Sequence, residues 1–233
     1  MRIHRPFVLG LAAPLVLAAA APAEAPVQRI RPLPESEWSP ELREQLGATR
    51  ERVATLSGES EPQTGTLNIL RTMAHHPTLM GPFLGFATAL AQHGALSRRD
   101  SELLALRAIW HCRSEFEWGH HAAYARAAGI TDAEIARVVA GPEAPGWSER
   151  DRALLRAAEQ LHARQQIDDA TWEQLAAEYD GAQLVEIPFV VGQYTMLSMV
   201  ANATGVELEE GFDRLPVEPP AAAPTTRPAP PVR

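Results

Sequence analysis

Between residues 40 and 212 no window of this chain alternates apolar and polar residues with a period of two. Apolar residues recur instead at three- and four-residue spacings, punctuated by Gly and Pro. That periodicity predicts helices over Pro40 to Leu56, Thr66 to His75, Thr78 to His93, Ser97 to His111, Ser114 to Ala128, Thr131 to Val139, Ser148 to Arg164, Asp169 to Tyr179 and Ala182 to Thr204. Thr131 with Glu134, and Ser97 before Asp100, have the spacing of helix starts. The run Gly141-Pro142-Glu143-Ala144-Pro145-Gly146 is the strongest internal breaker and joins two helical halves. Pro188 is expected to kink the last helix. That helix is apolar nearly all round, from Val185 to Val200, and suits a bundle centre or a subunit interface. Glu186, Gln193 and Asn202 along it argue against a membrane span. The expectation is one all-α domain over residues 40–212.

The two ends read differently. Met1 to Ala23 has a basic start (Arg2, His4, Arg5), an apolar run from Phe7 to Ala21 and an Ala21-Pro22-Ala23 end, the pattern of a signal peptide cleaved after Ala23. The expected location is therefore periplasmic or secreted, with no membrane span left after cleavage. Residues 24–39 form a Pro-rich segment expected to wrap the domain. Residues 213–233, dense in Pro, are expected to be a disordered tail.

Composition excludes several chemistries. The formal net charge of -8 over 233 residues argues against nucleic acid, whose phosphates need clustered cations. The 21 basic residues are all Arg, so Schiff-base chemistry and a lysine base are absent. A single cysteine, Cys112, excludes an intrachain disulfide and a cysteine-built zinc site.

Titratable groups cluster between Glu102 and His121. Glu117 and His121 are four apart and share one helix face, the arrangement of a carboxylate–imidazole general acid/base pair. Ser114 lies one turn earlier on that face, and Glu102 sits on the preceding helix, placed to fold back. The same residues admit a structural reading, because Ser114-x-x-Glu117 is also the spacing of a capping box. His120 points roughly 100° away from His121 on a helix, so a shared metal site is not expected. No cofactor is expected either.

The residues Glu102, Ser114, Glu117, Trp118 and His121, followed by Ala125-Arg126-x-x-Gly129, resemble the carboxymuconolactone decarboxylase and alkylhydroperoxidase D-like family. The flanks Asn68 to Pro77 and Gly192 to Asn202 agree with it. The resemblance implies an alkylhydroperoxidase D-like helical bundle that assembles as a homo-oligomer, trimeric or hexameric. In the peroxidase members a relay Glu precedes a Cys-x-x-Cys-x-x-x-His motif. Glu102 falls on that relay position and His121 on the motif His, while Ser114 and Glu117 occupy the two cysteine positions. A hydroxyl is not a peroxidatic nucleophile at neutral pH, and Cys112 stands two residues early with no resolving thiol.

Glu102, Ser114, Glu117 and His121 are therefore the candidate catalytic residues. The expected activity is acid/base chemistry on a small organic acid, lactone or peroxide, as in the decarboxylase branch that the resemblance implies. A dicarboxylate substrate would need cations such as Arg71, Arg107 or Arg113. Hydroperoxide reduction through Cys112 and ligand binding without turnover are the alternatives.

Overall fold

A computed structural model describes residues 27–57 and 66–217; the expected signal peptide and most of the Pro-rich tail lie outside them. Among the described residues the regular elements are a short 3-10 turn at Glu35–Glu37 and nine α-helices, with no strand. The helices are α1 (Pro40–Ser57), α2 (Asn68–Met73), α3 (Pro77–His93), α4 (Arg98–Cys112), α5 (Glu115–Ala127), α6 (Asp132–Ala140), α7 (Glu149–Arg164), α8 (Asp169–Glu178) and α9 (Gly181–Thr204). The all-α expectation holds, with helix ends shifted by one or two residues at most positions.

The helix starts are written into the sequence as side chains that accept otherwise orphaned backbone donors. Ser97, Ser114, Ser148 and Asp168 cap α4, α5, α7 and α8. Thr131 and Asp180 close full capping boxes with Glu134 and Gln183 at α6 and α9.

The middle of the fold is α4. It packs against α5, α6, α7 and α9, and Leu103, Leu104, Ala105, Leu106, Ala108 and Ile109 along it are fully buried. Its one buried cation, Arg107, donates to the Val138 and Val139 carbonyls at 2.7 and 3.1 Å and pairs with Glu159. Arg107 thus satisfies the carbonyl end of α6 while its own charge is met from α7.

The turn from α4 to α5 decides the geometry of everything that follows. Arg113 adopts the left-handed conformation (φ 53°, ψ 39°), unusual for a residue with a Cβ, and ends α4. The chain reverses there, and α5 runs back along α4. Glu102 and His121, on the two arms of the turn, come face to face.

Three apolar clusters fill the interior, and Tyr194 of α9 packs against all three. Pro188 lies inside α9, where it cannot donate to the carbonyl one turn back. By length and composition α9 alone among the described helices is long and apolar enough to cross a membrane. Here it carries buried Glu186 and Gln193, and packs on α4, α5 and α7.

The chain on either side of the bundle is tied down. Leu33 donates its backbone N–H to Arg71 at 3.0 Å, and Arg29 donates to Thr204 at 2.8 Å. After α9, residues 206–217 return across α5. Val206 and Leu208 are buried there, Arg126 pairs with Asp213, and Arg214 pairs with Glu115. Gly119 permits this close approach, since a Cβ at that position would stand 2.8 Å from Leu208 and 3.0 Å from the Asp213 carbonyl oxygen. Gly119→Ala should therefore lower stability by about 1–3 kcal/mol through overpacking. Chemical denaturation checks this, and an unchanged midpoint would mean that the returning segment does not lie on α5.

Candidate functional site

Glu102, Glu117 and His121 converge where the α4–α5 hairpin meets α9. Glu102 is 1% exposed. One of its oxygens lies 2.6 Å from the Arg98 guanidinium and the other 2.7 Å from Nδ1 of His121. A carboxylate held by a cation accepts, so Nδ1 carries the hydrogen, and in the neutral ring Nε2 is left as the base. Nε2 lies 3.9 Å from Oε2 of Glu117, beyond hydrogen-bond distance. The ring is also fixed edge-on against Tyr194 and Tyr124, with centroids 4.1 and 5.2 Å away.

Glu117 is built in the opposite way. It is 4% exposed, no Arg pairs with it, and its Oε1 has no hydrogen-bond partner. Burial, helped by repulsion from Glu209, pushes its carboxyl up to about 8, so it keeps its proton at neutral pH. Two carboxyl groups facing one imidazole are thereby held in different states by their surroundings.

Ser114 is fully buried and accepts the Glu117 backbone N–H at 3.5 Å, as a helix cap should. The reciprocal half of the capping box is not made: no bond from the Glu117 side chain returns to the start of α5. Its carboxyl turns instead toward a cavity of about 130 Å³, also lined by His120, His121, Tyr124, Gln193 and Tyr194. The remaining wall is mostly Leu, Ile, Phe and Ala from α2, α3, α5 and α9, with Leu67 just ahead of α2. Ser114 and Glu102 are not part of the wall; Ser114 sets the start of α5, and Glu102 acts behind His121.

Among the described residues no Arg lines the cavity. Arg71 donates to the Leu33 carbonyl, Arg107 is held by Glu159 and α6, and Arg113 stacks 4.2 Å from the Trp110 ring centre. Cys112 is not in the wall either. Its thiol lies 3.7 Å from Nδ1 of His162 on α7, and burial pushes it above the usual thiol range. That is the reverse of what a peroxidatic thiolate needs. Among the described residues no group of three or more His, Cys, Asp or Glu side chains is placed to hold a metal ion.

Two contributors escaped sequence reasoning. His120, set aside on its helical angle, also lines the cavity. Glu209, from the segment after α9, lies 2.8 Å from its Nε2. The angle between neighbouring side chains is real, but the cavity is wide enough for both imidazoles to reach it. No spacing rule connects residues 89 positions apart.

Residues 77–160, which span α3, α4, α5, α6 and most of α7, match the model of the Carboxymuconolactone decarboxylase family. No curated protein is significantly similar. Among solved structures, the debrominase Bmp8 in complex with 2,3,4-tribromopyrrole superposes with a TM-score of 0.64 at 16% identity, over 78% of this chain and 91% of that one. A putative antioxidant defence protein AhpD from Agrobacterium tumefaciens gives 0.55 at 19% identity, over 59% and 94%. An alkylhydroperoxidase AhpD core, a peroxidase-related protein from Ralstonia eutropha JMP134, gives 0.60 at 18%, over 78% and 93%. These likenesses establish the fold.

Titration of Glu117 sets the expected pH dependence of stability. Its carboxyl is raised from 4.5 to about 8, so its contribution is fully present below about 4.5 and is lost as pH rises through about 8. Glu117→Gln removes that loss. Thermal melts should show the variant close to the parent at pH 5 and more stable at pH 9. Parallel curves for the two proteins would contradict a neutral Glu117.

Proposed function

We propose that the protein, whose residues 77–160 match the carboxymuconolactone decarboxylase family model, is an enzyme moving protons on a small neutral organic molecule. Glu117 acts as the acid and His121 as the base. The observation that carries this reading is the unpartnered Glu117 carboxyl 3.9 Å from Nε2 of His121 across the wall of an apolar cavity. The gap leaves the two groups unbonded to each other, so both can meet a substrate atom held in the cavity beside them.

Glu102 holds the imidazole in the tautomer that leaves Nε2 free, and Arg98 holds Glu102. His121 takes a proton from one substrate atom, or Glu117 delivers one to carbon as a leaving group departs. The low-polarity wall keeps water away from the anion formed in between. Of the expected substrate classes, a lactone or another neutral carbon acid fits this wall best. An ionised acid would be buried there with no Arg among the described lining residues to meet its charge, a costly arrangement. Hydroperoxide reduction is less well supported, because Cys112 lies outside the wall with a raised pKa.

A panel of small lactones in deuterated solvent, read by NMR for deuterium incorporation or product formation, tests the reading. Glu117→Gln and His121→Ala should each lower turnover by about 100-fold or more. The double variant should lose far less than the product of the two, since residues acting as one unit are not additive. Cys112→Ser should leave turnover nearly unchanged. Normal turnover in Glu117→Gln or His121→Ala, with only lowered melting temperatures, would make these residues structural. Loss of turnover in a folded Cys112→Ser would restore the redox reading.

Assembly and export complete the proposal. Val185, Phe189, Met196 and Met199 form an exposed apolar stripe on α9, and Phe189 stacks edge-on with exposed Phe86 of α3 at 5.9 Å. That surface supports a homo-oligomer, trimeric or hexameric. Light scattering at micromolar concentration should give a multiple of the protomer mass, and a monomer would contradict it. The leader pattern supports export to the periplasm or medium with cleavage after Ala23, and intact Met1 or Arg2 on protein from the native host would rule that out.

A further inference from the structure

Three polar atoms of the cavity are buried without a partner: Oε1 of Glu117, Nδ1 of His120 and Oε1 of Gln193. Each is the kind of group that folded proteins almost always satisfy, and an unmet one is costly. Their presence in one otherwise apolar wall marks the cavity as one that receives a ligand with polar groups.

His120 is the most specific of the three. It is 3% exposed, and its ring is boxed by Phe116 and Phe212 at centroid distances of 4.7 and 4.2 Å. Nε2 lies 2.8 Å from Oε2 of Glu209, and Oε1 of Glu209 accepts the Asn68 backbone N–H at 2.7 Å. The carboxylate therefore accepts and Nε2 carries the hydrogen, so in the neutral ring Nδ1 is left an acceptor that no protein donor meets, on a residue that lines the cavity. This repeats the Glu102–His121 relation with the ring nitrogens exchanged: there Nδ1 is held and Nε2 is free.

The space limits what Nδ1 can meet. An apolar cavity of about 150 Å³ holds one benzene ring, and this one is of about 130 Å³ with no Arg among the described lining residues. A single ring, or a chain of similar bulk, fills it. A carboxylate finds no cation, and a plain hydrocarbon leaves Nδ1 unmet.

We propose that His120, held by Glu209 from the segment that follows α9, is a ligand-binding residue whose Nδ1 accepts a hydroxyl or N–H hydrogen from a small neutral ring compound, a phenol or a hydroxyl-bearing lactone. The assignment rests on the reading of this cavity as the substrate site, and it requires no turnover. Glu117 and His121 then face the body of the bound molecule while His120 fixes its polar end. The returning C-terminal segment becomes part of the site through Glu209.

Calorimetric titration of the full-length protein with phenol, toluene and benzoate tests this. Phenol should bind about tenfold or more tighter than toluene, and benzoate should not bind. His120→Gln keeps a donor where Nε2 stood, facing Glu209, and deletes the Nδ1 acceptor. It should bring phenol down to the affinity of toluene and leave toluene unchanged. Nitrogen-15 NMR of the unmutated protein gives a readout that needs no variant to fold: one histidine should show an unprotonated Nδ1 whose resonance moves on adding phenol and not on adding toluene. Equal affinity for phenol and toluene, or phenol binding untouched by His120→Gln, would overturn the assignment of His120 while leaving Glu117 and His121 as the proton-transfer pair. Tight binding of benzoate would overturn the ligand class. Loss of turnover in Glu117→Gln with this binding pattern intact would support both readings, whereas normal turnover there would defeat the catalytic reading alone.

Discussion

A carboxyl group taken out of water with no cation beside it keeps its proton, and the interior of this protein is arranged around one such group. Glu117 is buried where an Arg would have made it an ordinary ion pair, and its outer oxygen has no partner. Fifteen residues earlier in the chain, Glu102 is buried just as deeply but is met by Arg98 and His121. Burial costs both groups, and only one is compensated. That asymmetry leaves one carboxyl unpaired and the other paired within a single cluster, using three residues on two helices.

The scaffold makes the asymmetry possible through one backbone event. The left-handed Arg113 turns α4 into α5 with almost no intervening loop, so side chains one hairpin apart meet without long connections. Ser114 satisfies the first donors of α5, which frees the Glu117 side chain from capping its own helix. Tyr194 and Gln193 approach from α9, and the segment after α9 adds Glu209 from the other side. The site is thus closed by elements far apart in sequence on a frame that is local. Mutations in the frame are expected to act on stability, and mutations in the closing elements on ligand preference.

Much of this could be read before any coordinates. Helical periodicity and the helix starts at Ser97 and Thr131 follow from short-range rules, because a helix repeats its geometry every turn; the spacing paired His121 with Glu117, whereas the bond His121 makes is to Glu102 on the preceding helix. The Ser114-x-x-Glu117 spacing was ambiguous for the same reason: a capping box and a catalytic face share one periodicity. Only the three-dimensional surroundings show that Ser114 takes the capping role and Glu117 does not. His120 could not be judged from its angle, since a cavity wall subtends more than one helix face. Glu209 carried no signal at all, lying in an acidic stretch indistinguishable from solvated surface. Arg98 carried no signal either, although its charge is directed inward to Glu102.

The most direct test of the account is the protonation state of Glu117 itself. Carbon-13 NMR of side-chain-labelled glutamate, assigned by difference against Glu117→Gln, follows that one carboxyl through a pH titration of the folded protein. The account predicts a protonated carboxyl at pH 7 and a midpoint near 8, set by burial and the neighbouring Glu209. A midpoint between 4 and 5 would mean that Glu117 is an ordinary carboxylate, and the acid of the proposed pair would be lost.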